Sequence, residues 1–168
     1  GTREIRKNLI DFSLAFEKFI KNHPKSKIVL AITGKGGWGQ QIESKSSHIK
    51  ILGYMPENDM VALHASALLL ATPSFYEGFG MPLVKSLYVG VPVLVSQNTS
   101  LSEIAGNAAI LVDPQSIDSM YLGLKKILTN TKLHRQLSTN ALIQAKKFSW
   151  TTTAKQTLNI YNQLFTKY

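Results

Sequence analysis

Six consecutive residues, Glu77-Gly78-Phe79-Gly80-Met81-Pro82, carry the plainest chemistry in this chain of 168 residues. Gly78 and Gly80 lack a Cβ, so the backbone there can approach a ligand closely. Pro82 suits the first turn of a helix, where its missing N–H would have had no partner. The N–H groups of Phe79, Gly80 and Met81 then open a helix at the positive end of its dipole, which makes a site for phosphate. Glu77 stands beside this cradle as a carboxylate able to accept from hydroxyls but unable to help hold a phosphate. An anion cradle with an acceptor next to it suits a sugar phosphate.

The elements that must position these groups are legible around them. A buried strand ends near Ala71, a short helix starts at about Met81, Gly90 stops it, and VPVLVS forms a second buried strand. Upstream, KNLIDFSLAFEKFIKNHP reads as an amphipathic helix with Leu9, Phe12, Phe16, Phe19 and Ile20 on one face, ended by Pro24. Arg6 and Lys7 precede it. Cations at a helix start are mildly unfavourable with the dipole, which argues for an anion nearby. KIVLAIT, HIKILG and ALLLAT are further strand-like runs, and AAILVDP reads as the last strand. Strands alternating with helical stretches predict an α/β fold, a Rossmann-like, mostly parallel sheet with helices on both faces. Ligands bind such sheets at the carboxyl ends of the strands.

Smaller features have structural readings. Asn58 or Asp59 is expected to cap the helix that runs through Ala67. His64 on that helix reads as a structural histidine. Ser100 and Glu103 spell a capping box, and Ser116 is a further cap. Trp150 is expected to be a packed anchor ahead of the last amphipathic helix. Gly34, Gly36 and Gly39 spell the dinucleotide fingerprint, but the polar run after them is short. No acid closes the next strand about 20 residues on, so a nicotinamide site is not expected.

Composition sets the bounds. The length fits one domain. There is no apolar run of the ~20 residues a membrane span needs and no signal peptide pattern. The absence of cysteine rules out a disulfide framework. The net charge is +9, with ten Lys or Arg in residues 1–50, only Lys85 in the middle, and eight in residues 121–168 with no acid. The charge fits a solvated basic face or attraction to an anionic surface or substrate. Aromatic-basic interleaving and known nucleic-acid motifs are missing, so nucleic acid is not an expected partner.

PSFYEGFGMPLVKSLYVGVPVLVS resembles the donor-site signature of the retaining, metal-independent glycosyltransferases of family 4, which are built from two Rossmann-like domains in the GT-B arrangement. SLSEIAGNAAILVDP and KKFSWTTTAKQTLNIY resemble that family's later landmarks, and GTREIRKN its first loop. The segments fall in the family's order and together cover nearly the whole chain. The resemblance implies the donor-binding half of such an enzyme, with roles that follow residue by residue. Arg6 and Lys7 would hold the donor diphosphate. The backbone near Gly34 would wall the cleft, and Tyr54 and Met55 would face the nucleobase. Gly78, Phe79, Gly80 and Met81 would cradle phosphate, and Glu77 would be the catalytic carboxylate beside the transferred sugar. Two departures stand out. An arginine common after the first glycine is Thr2 here. The family's second glutamate, which accepts from the nucleotide ribose, falls on Lys85, a residue that can only donate; Lys85 could instead reach a phosphate.

The implied reaction moves a hexose, mannose favoured, from a nucleotide diphosphate to a hydroxyl with retention, in surface polysaccharide or glycolipid synthesis. Glycine-tryptophan loops like GKGGWG occur among GDP-mannose-using relatives, which favours GDP-mannose over UDP- or dTDP-sugars. No cofactor or metal is expected, since no Asp-x-Asp pair occurs. The expected acceptor is a glycan or lipid-linked sugar, bound through an amino-terminal domain, and residues 1–168 alone are expected to transfer little. The expected location is cytoplasmic, at or near the inner face of an anionic membrane. The resemblance also places a hydrophobic strand ahead of Gly1, between strands 28–33 and 68–71, so the first strand is expected to be absent here. Two other classes remain open. One is a non-catalytic nucleotide- or partner-binding module, motivated by Lys85. The other is a basic surface binder, motivated by the terminal charge.

Overall fold

The computed structural model describes residues 2–37 and 46–165. Gly39 of the glycine fingerprint and most of the polar run after it lie outside the described residues. The chain opens with a 3₁₀ turn at Ile5–Lys7 and enters helix α1, Leu9–Asn22, through Asn8 in the left-handed conformation. Strands β1, Leu30–Thr33, and β2, Ile49–Gly53, follow, then helix α2, Glu57–Ser66, and strand β3, Leu70–Thr72. Helix α3, Met81–Tyr88, leads into β4, Val93–Ser96; helix α4, Ser100–Ala105, leads into β5, Ala109–Val112. Three helices close the chain: α5, Ile117–Thr129, α6, Thr131–Ala145, and α7, Trp150–Phe165.

Among the described residues every strand pairing is parallel, and the strands form two groups, β1-β2 and β3-β4-β5. All four residues of β4 are buried, as a strand covered on both faces requires. Alternation along β4 separates two cores. Val93 and Val95 pack with Leu83, Leu87, Leu101 and Ala141, from α3, α4 and α6. Leu94 packs on the other face with Phe12, Phe16 and Phe19 of α1 and Met120 and Leu124 of α5. The expected parallel α/β fold with helices on both faces is therefore the observed one. The apolar face read for α1 is also the face it buries.

Three local expectations are corrected. Helix α2 starts at Glu57, so Pro56 is its N-cap and neither Asn58 nor Asp59 caps it. Asp59 and Glu57 instead sit in its first turn, where an acid is favourable with the dipole. Helix α4 starts at Ser100 with Thr99 at the N-cap, and no side-chain cap forms. The capping box fails because Ser100 is already helical and its hydroxyl donates to the Glu77 carbonyl at 2.6 Å. Trp150 is no packed anchor: its side chain is 78% exposed, and α7 buries no residue. Ser116 does cap α5, accepting from the Ser119 N–H at 3.1 Å. No described helix is long and apolar enough to cross a membrane.

Candidate functional site

The loop between β3 and α3 is fastened to its neighbours at four points. The Phe75 N–H donates to the Arg6 carbonyl at 2.8 Å, and the Arg6 guanidinium donates to the Tyr76 carbonyl at 3.2 Å. From below, the buried Ser96 hydroxyl at the end of β4 donates to the Ser74 carbonyl at 2.5 Å. Ser100 at the start of α4 holds the Glu77 carbonyl. The first turn of the chain and the carboxyl ends of β3 and β4 thus converge on one loop, where the parallel topology collects ligand-binding loops.

Helix α3 begins in the geometry that an anion needs. Gly80 is its N-cap at φ +93°, a left-handed conformation that favours glycine. A Cβ at Gly80 would meet Leu101 Cδ2 at 2.5 Å, so two independent reasons fix glycine there. Pro82 occupies the first turn. Among the described residues the Phe79, Gly80 and Met81 amides find no hydrogen-bond acceptor. Gly78 has open space where a Cβ would be. Phe79 is exposed and meets Phe148 edge-on, which holds the outer wall of the loop.

Glu77 is mostly covered and makes two ion pairs, to Arg6 Nη1 at 2.8 Å and to Lys7 Nζ at 3.7 Å. The Ser74 hydroxyl donates to it at 3.4 Å. Arg6 is shared with Glu4 at 2.7 Å, and the bond to Glu77 is the largest reason its pKa is raised further. The structure thus brings Glu77, Arg6 and Lys7 together beside the α3 amides. It differs in one respect from a carboxylate held free for a hydroxyl: in this state both Glu77 oxygens face cations.

The other sequence-predicted residues lie on the adjoining loops. Gly34 ends β1, is buried at φ +123°, and donates its N–H to the Gly53 carbonyl at 2.6 Å. Its amide is therefore occupied. Tyr54 and Met55 follow β2; the Tyr54 ring is exposed and Lys35 Nζ stands 5.1 Å from its centroid. Lys85 lies one turn beyond Met81 on α3 and bonds Glu57 Oε1 at 2.5 Å, joining α3 to the start of α2. His64 is buried and bonds the Ser86 hydroxyl through Nδ1 at 2.6 Å, away from the loops, as a structural histidine. Sequence reasoning missed Ser74, Ser96 and Glu57, and gave Ser100 another role. Serines that pin a loop carbonyl leave no spacing signal; Glu57 was open to notice as the acid nearest Tyr54.

A parallel α/β sheet with an open helix start, two cations and a carboxylate at its carboxyl edge makes this a Rossmann-like domain with a candidate anion site. The sequence profile of the family described as glycosyl transferases group 1 matches residues 1–144, and the chain belongs to that family. It is 33% identical over 98% of its length to the O-antigen chain mannosyltransferase B of Escherichia coli and covers 45% of that protein. Less than half the length of that relative is therefore represented. Among solved structures, the Anabaena protein HepE, crystallised with UDP and glucose, superposes with a TM-score of 0.82 over 97% of this chain and 47% of that one, at 18% identity. The carboxyl-terminal domain of the Francisella tularensis group 1 glycosyl transferase LpcC gives a TM-score of 0.73 at 16% identity, covering 88% of this chain and 82% of that one. These two likenesses show the fold.

Proposed function

We propose that this chain is the nucleotide-sugar-binding half of a retaining hexosyltransferase. The observation that carries the reading is the convergence of three unpartnered amides at the α3 start with Arg6, Lys7 and Glu77 on the adjoining loop. In the reaction, negative charge grows on the departing diphosphate while positive charge grows on the sugar ring. Preorganised donors aimed at the first charge lower the barrier, and the amides, Arg6 and Lys7 supply them. Glu77 accepts from a sugar hydroxyl and orients the ring once the diphosphate has drawn the two cations towards itself. The name of the similar mannosyltransferase supports a mannosyl donor and an acceptor in O-antigen assembly, and the likeness of the GKGGWG loop to GDP-mannose-using relatives puts GDP-mannose first. UDP or dTDP sugars are the alternatives. This reading assigns the described residues the donor side alone and needs neither metal nor cofactor.

Lys85 motivates a second reading, a nucleotide-binding module that no longer catalyses transfer. Replacing Lys85→Glu in the complete polypeptide separates the two: a large rise in turnover marks a degraded enzyme, and loss of existing turnover shows that Lys85 was recruited. The primary test is calorimetry with GDP, UDP and dTDP. At least one is expected to bind, and its affinity is expected to fall about tenfold or more in Arg6→Ala, since a charge-assisted contact is removed. If the folded protein binds none of the three, the reading is wrong.

A further inference from the structure

We infer that Glu57, held in place by Lys85, accepts from the ribose hydroxyls of the donor nucleotide. The inference rests on the donor-site reading above and assigns a role to a residue on a different helix from the one the resemblance points to.

The position follows from the helix geometry. Lys85 is four residues after Met81, so it lies on the same face of α3 as the phosphate cradle and about 6 Å further along the axis. Glu57 opens α2 two residues after Met55, at the exit of β2. The Lys85–Glu57 bond therefore bridges the element proposed to hold phosphate and the loop proposed to face the base. In a nucleoside diphosphate the ribose is the group between those two ends.

The chemistry also selects Glu57. Ribose hydroxyls need acceptors, and an ammonium has only donors. Lys85 engages one carboxylate oxygen of Glu57, and among the described residues the second has no partner. That oxygen can accept from a hydroxyl while Lys85 donates to a hydroxyl oxygen. The ammonium offsets a carboxylate charge that would otherwise repel the nearby diphosphate. A purely structural role explains little of this pair, because both side chains are more than a third exposed, 40% and 67%, and such pairs add little stability.

Calorimetry with GDP and UDP beside their 2′-deoxy counterparts tests the idea on the wild type, on Glu57→Ala and on Glu57→Gln. The wild type is expected to prefer the ribonucleotide by about tenfold, the size of one charge-assisted bond. Glu57→Ala should bring the ratio of ribo- to deoxynucleotide affinity to within about twofold, whatever the uncovered Lys85 charge adds to both, and Glu57→Gln, which keeps an acceptor without the charge, should retain part of the preference. A structural pair would shift both nucleotides equally, which overturns the inference, as does a Glu57→Ala protein that keeps its full preference. A wild type that binds both forms alike overturns it too, with the donor site intact. If no nucleotide binds the wild type, the donor-site reading and the inference fall together.

Discussion

Glu77 and the two cations beside it compete for each other before any ligand arrives. Arg6 and Lys7 lie 2.8 and 3.7 Å from its carboxylate, so an incoming diphosphate must displace part of that pairing. The carboxylate therefore weakens the bare anion site and contributes only when a sugar hydroxyl is there to receive it. Glu77→Gln separates the two effects, since the amide keeps the shape and one acceptor but drops the charge. GDP without a sugar should bind about two- to fivefold more tightly to the variant, the scale of a partly exposed ion pair. The extra affinity of GDP-mannose over GDP should shrink. Calorimetry on the two ligands reads both, and a variant weaker for bare GDP would show that Glu77 organises the cations more than it competes for them.

The elements hold this site through a few positions where backbone and packing agree. Gly80 combines φ +93° with a Cβ position 2.5 Å from Leu101, a fully buried residue of α4. Gly80→Ala should lower unfolding free energy by about 1–3 kcal/mol in urea titration and weaken nucleotide binding with it, since the same shift moves the amides. The contact between α2 and α3 is the titratable one. Burial, and after it the Lys85 charge, holds the His64 pKa below its ordinary 6.5. The unfolded chain takes up this proton as pH falls through about 6.5, whereas the folded chain resists until lower pH. The stability tied to His64 is therefore whole above that value and declines as pH falls below it. Urea midpoints at pH 7.5 and 5.5 should show a fall that His64→Asn partly removes; an equal fall in both proteins would assign it to other groups. The strand and helix pattern behind these contacts was legible because β4 is apolar throughout and α1 repeats its phenylalanines at helical spacing. The helix starts were less so. Ser100 has the right residue types for a cap, yet a carbonyl 23 residues away claims its hydroxyl, and no local pattern encodes that. The meeting of Arg6 with Glu77 was readable through the resemblance, while the Glu57–Lys85 bridge depends on the placement of α2 over α3 and was not.

At the scale of the whole molecule, two cores on either face of β4 close without the last helix. The first takes Ala141 and Ala145 from α6 and reaches Phe148, and neither includes a residue of α7. Phe148 is the final fastening: it packs against the first core, meets Phe79 edge-on, and accepts from the Tyr88 hydroxyl through its carbonyl. Beyond it, α7 exposes Trp150, Leu158, Tyr161, Leu164 and Phe165. A helix that buries nothing adds only its own marginal propensity to the stability of the domain. Ending the chain after Ser149 should therefore leave the urea midpoint within about 0.5 kcal/mol of the parent and leave nucleotide affinity unchanged. Phe148→Ala in the same shortened chain should cost about 1–3 kcal/mol, less than a fully buried phenylalanine because its ring is half-covered, and should loosen the wall at Phe79. If shortening instead collapses the midpoint, α7 packs against the domain in solution, and its apolar residues belong to the fold of these residues after all.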